Sequence, residues 1–176
     1  TDYSVSYTSQ LINKQASDKV LNANVTMVSR QRKAGAVLFA SQRKREAYDH
    51  PGLTLNRQGT FTVEKDNFSE LPELRDNSFG GNIYFRPAPE QKLEISFTSL
   101  YEYRYGGEMT RKAAHLAQQS EERVHHTFMG GLDYQINFNQ DQSSFITYFA
   151  GQFTDRDHYT GLYPSRDDFS TGAAFA

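Results

Sequence analysis

The chain has 176 residues, a net charge of −2 and no cysteine, so disulfides and thiolate metal sites are excluded. Charged residues of both signs are mixed along the sequence, which argues against a nucleic-acid-binding surface. The mean hydropathy is low, −0.73, and the longest apolar run, residues 34–40, is far shorter than the ~18 residues of a helical membrane span. A membrane helix is therefore excluded, whereas a barrel wall of alternating residues keeps the average hydropathy low.

Apolar and polar residues alternate along the first half of the chain, as in strands with one apolar and one polar face. After the first segment, a turn near residues 15–18 leads into the second. The third segment, 35–48, is less regular, because Val37 and Phe39 interrupt the alternation. The residues expected on the apolar faces are Tyr3, Val5, Tyr7 and Leu11, then Leu21, Ala23, Val25 and Met27, then Ala36, Leu38 and Ala40.

Four further segments show the same alternation, which makes seven predicted strands, and Phe169–Ala176 is a candidate eighth. Residues 92–105 form the most regular of them and exceed the ~5–6 residues of an average globular strand. A strand tilted through a bilayer needs ~9–11 residues. The apolar faces carry Phe79, Ile83 and Phe85, then Leu93, Ile95, Phe97, Tyr101, Tyr103 and Tyr105, then Val124, His126, Phe128, Leu132, Tyr134, Ile136 and Phe138, and finally Phe145, Phe149 and Phe153.

Short and long connections alternate between these segments. The short ones lie near residues 31–33, 87–90 and 140–142, and the long ones cover about 49–76 and 106–122. In an antiparallel sheet this alternation places the long loops at one end, as in outer-membrane barrels with short periplasmic turns. We therefore predict an all-β, antiparallel transmembrane β-barrel with about seven to eight strands in this chain.

The polar faces carry charges that lipid would not tolerate, since an arginine facing lipid near the midplane costs roughly 2–4 kcal/mol. We expect these residues to face a wet interior; they are Glu94, Glu102, Arg104, Asp133 and Arg156.

No catalytic or nucleotide-binding motif is present in the sequence, so it predicts no enzyme. His125 and His126 point to opposite faces of a strand and cannot share a metal. The acidic residues of one outer loop could bind Ca²⁺, although their spacing matches no EF-hand; they are Asp155, Asp157, Asp167 and Asp168.

Several stretches resemble TonB-dependent outer-membrane receptors of the Bacteroides group, particularly the vitamin B12 (cobalamin) transporters. They span most of residues 11–161 and include LINKQASDKVLNANVTM (11–27), FASQRKREAYD (39–49), DNFSELPELRDNSFG (66–80), LEISFTSLYEYRYGGE (93–108), HLAQQSEER (115–123), DYQINFN (133–139) and DRDHYTG (155–161). The resemblance implies a 22-stranded barrel closed by an N-terminal plug. Residues 1–176 would form its first strands, after a plug that this sequence lacks.

The resemblance further implies import of a scarce nutrient, most simply cobalamin or another corrinoid, as a transported substrate and not as a cofactor. It implies as partners the TonB energy-coupling complex, outer-membrane lipid and a surface-exposed lipoprotein that captures substrate. No family motif fixes individual contacts. Our candidate ligand-binding residues are polar or aromatic side chains near the outer strand ends: Tyr103, Arg104, His125 and Arg156.

Four alternatives stay open on the sequence. The substrate could be a siderophore or haem. The chain could also form a complete eight-stranded barrel with a structural or adhesive role, in which Phe169–Ala176 is the last strand. A soluble β-sandwich binding module fits the strand length and the tyrosines less well, and an enzyme on a barrel scaffold lacks a recognisable nucleophile–base pair.

Overall fold

A computed structural model describes residues 1–55, 59–65, 67–110, 112–117, 119–138, 140, 142–161 and 174–175. The fold is all-β, and every strand pairing is antiparallel. The strands are β1 Asp2–Ile12, β2 Ala16–Val28, β3 Ala34–Arg45, β4 Gly52–Leu55, β5 Phe61–Glu64, β6 Phe68–Phe85, β7 Gln91–Glu108, β8 Glu121–Phe138, β9 Ser143–Thr160 and β10 Ala174–Phe175. The helical element described is a single 3₁₀ turn, Ala114–Leu116.

One open sheet contains most of the chain, with strands in the order β1-β2-β3-β6-β7-β8-β9-β10. Its seven long strands have 11 to 18 residues and correspond to the seven predicted segments. The strand β10 adds only two residues beside β9, and β4 and β5 form a separate hairpin. The prediction of an all-β antiparallel sheet is confirmed.

The strand register joins the predicted faces into two continuous surfaces, because directly paired residues point to the same side of a sheet. We call them the apolar face and the polar face. One row of partners across the apolar face is Met27, Ala36, Ile83, Ile95, Leu132 and Phe149. Val37 and Phe39 lie on the polar face, where the Phe39 ring covers Gly80, its cross-strand partner. This packing explains why the third segment alternates poorly.

The connections alternate in length as predicted, except that the first one at the loop end, residues 13–15, is short. Residues 29–33, 86–90 and 139–142 join strands at one end, the turn end, and residues 13–15, 46–67 and 109–120 join them at the other, the loop end. The predicted loop bounds of 49–76 and 106–122 are wrong, because β6 begins at Phe68 and β7 continues to Glu108. On β6 this region contains Pro72 and a register irregularity against β7 between Ser69 and Glu73, so the alternation fades although the strand continues.

Burial is concentrated at the loop end and is nearly absent from the sheet. The buried apolar residues among those described are Ala16, Tyr48, Leu74, Ala114 and Ala117. The two long loops are linked there by a hydrogen bond of 2.8 Å from the backbone N–H of Met109 to the carbonyl of Asn67. No described helix is long and apolar enough to cross a membrane.

Glu46 extends the sheet at this end. Its backbone N–H donates to the carbonyl of Ser17 over 2.9 Å, and its carboxylate accepts a hydrogen bond of 2.8 Å from the Ser17 N–H. This hydrogen bond to the charged form lowers the pKa of the Glu46 carboxyl below its ordinary value.

Candidate binding site on the polar face

Two rows of charged side chains cross the polar face near the loop end, and both follow from the register. The lower row is formed by successive cross-strand partners on β3, β6, β7, β8 and β9: Arg43, Asp76, Glu102, His125 and Arg156. The upper row, two residues nearer the loops, is Asp18, Arg45, Leu74, Arg104, Arg123 and His158. Neighbours within a row are about 4.8 Å apart, and the two rows are separated by two residues, or about 6.7 Å along each strand. The two rows therefore form one charged surface.

The sheet brings three of the four predicted ligand-binding residues together on this surface. His125 and Arg156 are direct partners, and Arg104 is in the upper row of the neighbouring strand. Tyr103 lies on the apolar face instead, where the guanidinium of Arg75 is 5.3 Å from the centre of its ring. A single site therefore cannot use Tyr103 together with the other three residues.

Ion pairs hold several of the arginines in place. Arg43 and Asp18 form a bidentate pair with a closest approach of 2.6 Å, and Arg104 contacts Glu102 at 2.9 Å. Glu121 accepts hydrogen bonds from Arg123 and pairs with His158 at 2.7 Å. These side chains are partly exposed, so the pairs contribute at most about 1 kcal/mol each to stability. Their main effect is to fix the guanidinium positions.

A cavity of about 290 Å³ opens beside the upper row. Arg104 and Arg123, direct partners on β7 and β8, both line it, and its remaining lining is Pro72, Gly106, Gly107, Gln119 and Glu121. A larger depression of about 470 Å³ lies nearer the middle of the sheet, with Ser96, Thr98, Met129, Tyr148 and Gln152 among its lining residues. The smaller cavity, with two guanidinium groups, is suited to an anionic or strongly hydrogen-bonding group.

The lower row has spare hydrogen-bonding capacity. The Nε2 atom of His125 is shielded from solvent and has no hydrogen-bond partner among the described residues. Arg156, its cross-strand partner, forms no salt bridge with a described residue. A shielded imidazole nitrogen without a partner costs free energy unless a ligand or another part of the protein binds it.

Sequence reasoning missed most other members of this surface, namely Asp18, Arg43, Arg45, Asp76, Glu121, Arg123 and His158. Arg123 and Glu121 follow a loop whose end could not be located from alternation, and Asp76 was placed within a loop. Extending the alternation of β6 from Phe85 back to residue 76 places Asp76 on the polar face, so this signal could have found it.

Two of the four acidic residues of the predicted calcium site lie among the described residues. Asp155 and Asp157 lie on β9 and point to the apolar side of the sheet, whereas Asp167 and Asp168 lie outside the described residues. No group of three or more histidine or acidic side chains within the described part of the chain could hold a metal ion. His126 also lies on the apolar side, with its ring centre 4.7 Å from that of Tyr101.

Comparison of the chain with protein-family models found no match, and comparisons with curated proteins and with solved structures found no significant similarity.

Proposed function

We propose that this chain forms part of the wall of an outer-membrane β-barrel receptor that imports a scarce nutrient. The observation that carries this proposal is a broad apolar sheet face that no other described element covers. Large apolar side chains on this face are mostly exposed: Val5 68%, Phe79 54%, Phe128 51%, Phe149 64% and Phe153 68%.

Lipid is the environment that this face fits best. Apolar surface left in water costs roughly 25 cal/mol per Å², and monomeric soluble proteins rarely expose patches beyond a few hundred Å². The face spans seven strands. On β7 it ends towards the loops in three tyrosines, Tyr101, Tyr103 and Tyr105, a side chain that favours a membrane interface. The opposite face carries the charged rows, so the two sides are suited to lipid and to a wet interior.

The apolar band also crosses the sheet obliquely. One row of cross-strand partners begins with Tyr7 and Leu21 at the β1 side and ends with His126 and Asp155 at the β9 side. On β9 the apolar residues lie nearer the turn end, from Phe145 to Phe153. Strands tilted by about 35–45° in a membrane produce this slope, because a row perpendicular to the strands then passes from lipid into water.

An import role is supported by the charged surface and by the sequence resemblance. The charged rows lie on the polar face at the loop end, where a substrate would enter a receptor barrel from outside. The resemblance to cobalamin receptors makes a corrinoid the first substrate to test, with siderophores and haem next. Energy would come from the TonB complex, and a surface lipoprotein would deliver substrate.

The openness of the sheet favours a large barrel over a small one. A barrel in lipid must pair all its strand edges. Among the described residues β1 pairs only with β2, and the second edge is covered at two residues, Ala174 and Phe175. That short pairing is the observation in favour of a closed eight-stranded barrel. The mass of the native polypeptide separates the two: several times 20.1 kDa for a receptor, close to 20.1 kDa for a small barrel.

The transport proposal is tested by uptake of radiolabelled cyanocobalamin in cells that produce the native polypeptide as their only candidate receptor. We expect uptake that is saturable and abolished when TonB is deleted. Uptake that is unchanged by loss of the polypeptide would contradict the cobalamin assignment, and ferric siderophores and haem would then be tested in the same cells.

A double substitution tests the site itself. Arg104→Gln with Arg156→Gln removes two guanidinium groups from the charged surface, and we expect substrate to bind at least about tenfold more weakly, since hydrogen bonds to charged groups contribute about 1.5–3 kcal/mol each. Tyr103→Phe is the matched control and should bind normally, because it lies on the other face. Equal losses in both proteins, measured by equilibrium binding to the purified receptor, would rule out a site on the polar face.

A further inference from the structure

Three basic residues form a row on the apolar side of the sheet, immediately beyond the apolar band. Lys19 on β2 pairs with Lys44 on β3, and Lys44 pairs with Arg75 on β6. All three side chains are exposed. On the loop-end side of Ala40 and Phe79, the residues Gln42 and Asn77 separate the band from this row, joined by a hydrogen bond of 2.9 Å between their amides.

This arrangement is unfavourable for an isolated sheet. Like charges directly opposite each other on neighbouring strands destabilise the pairing. Arg75 is partly neutralised by Glu73, at 2.7 Å, but neither Lys19 nor Lys44 forms a salt bridge with a described residue. The pKa of the Glu46 carboxyl is lowered mainly by its hydrogen bond from Ser17 and further by the charges of these two lysines. Three cations against the two nearby carboxylates, Glu46 and Glu73, leave the row with a net positive charge.

We propose that Lys19, Lys44 and Arg75 bind the phosphate head group of an anionic lipid in the outer leaflet. The inference rests on the proposed function, in which the apolar face meets lipid. An anionic amphiphile matches both parts of this surface: its phosphates meet the three cations, and its acyl chains lie against the apolar residues below them. The amides of Gln42 and Asn77 add hydrogen-bond donors at the depth where the head group joins the chains.

The geometry suits a head group with more than one phosphate. The three cations occupy adjacent strands about 4.8 Å apart, so they span roughly 10 Å across the sheet. Each of the three side chains is long and can move its charge to the level of the head groups while its methylenes stay on the apolar surface. Arg75 is held in place by Glu73 and by the Tyr103 ring.

The test uses the native polypeptide in phosphatidylcholine nanodiscs that contain a small fraction of diphosphoryl lipid A, with retained lipid counted by native mass spectrometry. The variant carries Lys19→Gln, Lys44→Gln and Arg75→Gln. The matched control carries Arg30→Gln, Arg32→Gln and Lys33→Gln, which remove the same charge at the turn end. A third protein, with Lys19→Arg, Lys44→Arg and Arg75→Lys, keeps the charge and reports on folding.

We expect the first variant to retain lipid A at least about tenfold more weakly, since each cation near an anionic membrane surface contributes about fivefold. The turn-end control and the charge-keeping protein should retain it as the unaltered protein does. Equal retention by all four proteins would overturn the proposal. Displacement of lipid A by inorganic phosphate would also overturn it, because the site would then bind a soluble anion. Failure to insert even into neutral nanodiscs would instead reject the membrane assignment on which the inference rests.

Discussion

Ile95→Arg is expected to lower the free energy of unfolding in lipid by roughly 2–4 kcal/mol, the cost of a lipid-facing arginine near the middle of a membrane. Ile95 lies in the middle of the apolar band between its partners Ile83 and Leu132, and it is 41% exposed. The charge would have to remain in hydrocarbon or pull water inwards. Urea unfolding of the native polypeptide in lipid vesicles measures the change.

Ser96→Arg is the matched control, because it introduces the same side chain one residue further along the same strand. Ser96 is also exposed and lies on the polar face, beside the larger depression. A wet interior accepts this charge, so we expect a change within about 0.5 kcal/mol. Equal effects at the two positions would show that the faces do not meet different solvents, and a larger effect at Ser96 would reverse their assignment.

Gly81→Ala is expected to destabilise the sheet by about 1–3 kcal/mol, the range for overpacking a filled site. A Cβ atom on Gly81 would lie 2.5 Å from the carbonyl oxygen of Val37 and 2.6 Å from Cδ2 of Leu38. The carbonyl belongs to the backbone of β3 and cannot move without disturbing the strand pairing. The same unfolding assay in lipid vesicles measures the effect.

The sheet provides internal controls for this substitution. Gly130 and Gly151 lie in the same row as Gly81, with Phe97 between Gly81 and Gly130. A Cβ on Gly130 would have its nearest neighbour at 3.7 Å, and one on Gly151 would have none within 4 Å. Gly130→Ala and Gly151→Ala should therefore be neutral or slightly stabilising, since alanine restricts the unfolded chain. If all three substitutions cost the same, close packing at Gly81 is not the cause.

The alternation of side chains was sufficient to predict the strands and their faces wherever one face is apolar. On β7, for example, the alternation from Leu93 to Tyr103 predicts both the strand and its two faces. Contact of one face with lipid would require every second residue there to be apolar. The same signal failed on β6 between Phe68 and Asn77, where Pro72 and polar residues occur but the strand continues. It also gave no indication of the β4–β5 hairpin, whose short strands carry too few residues for a period to emerge.

The candidate site was predictable only in part, because it depends on register. His125 and Arg156 are far apart in the sequence, and only the pairing of β8 with β9 makes them neighbours. Arg123 lies beside Arg104 for the same reason. A shift of one residue in either pairing would move one member to the other face. Tyr103 is a candidate ligand-binding residue because its side chain is aromatic and lies near a strand end. The alternation along β7 nevertheless predicts that it lies on the apolar face.

The most direct test of the central claim is a spin-label scan of β7 in lipid. This chain has no cysteine, so single cysteines introduced at residues 93–101 carry a label at one position each, provided that any cysteine elsewhere in the native polypeptide is removed. Collision with oxygen reports exposure to lipid, and collision with a water-soluble nickel complex reports exposure to water. We predict that odd positions favour oxygen and even positions favour nickel, alternating along the strand. Equal nickel access at both sets of positions would contradict a membrane-facing sheet.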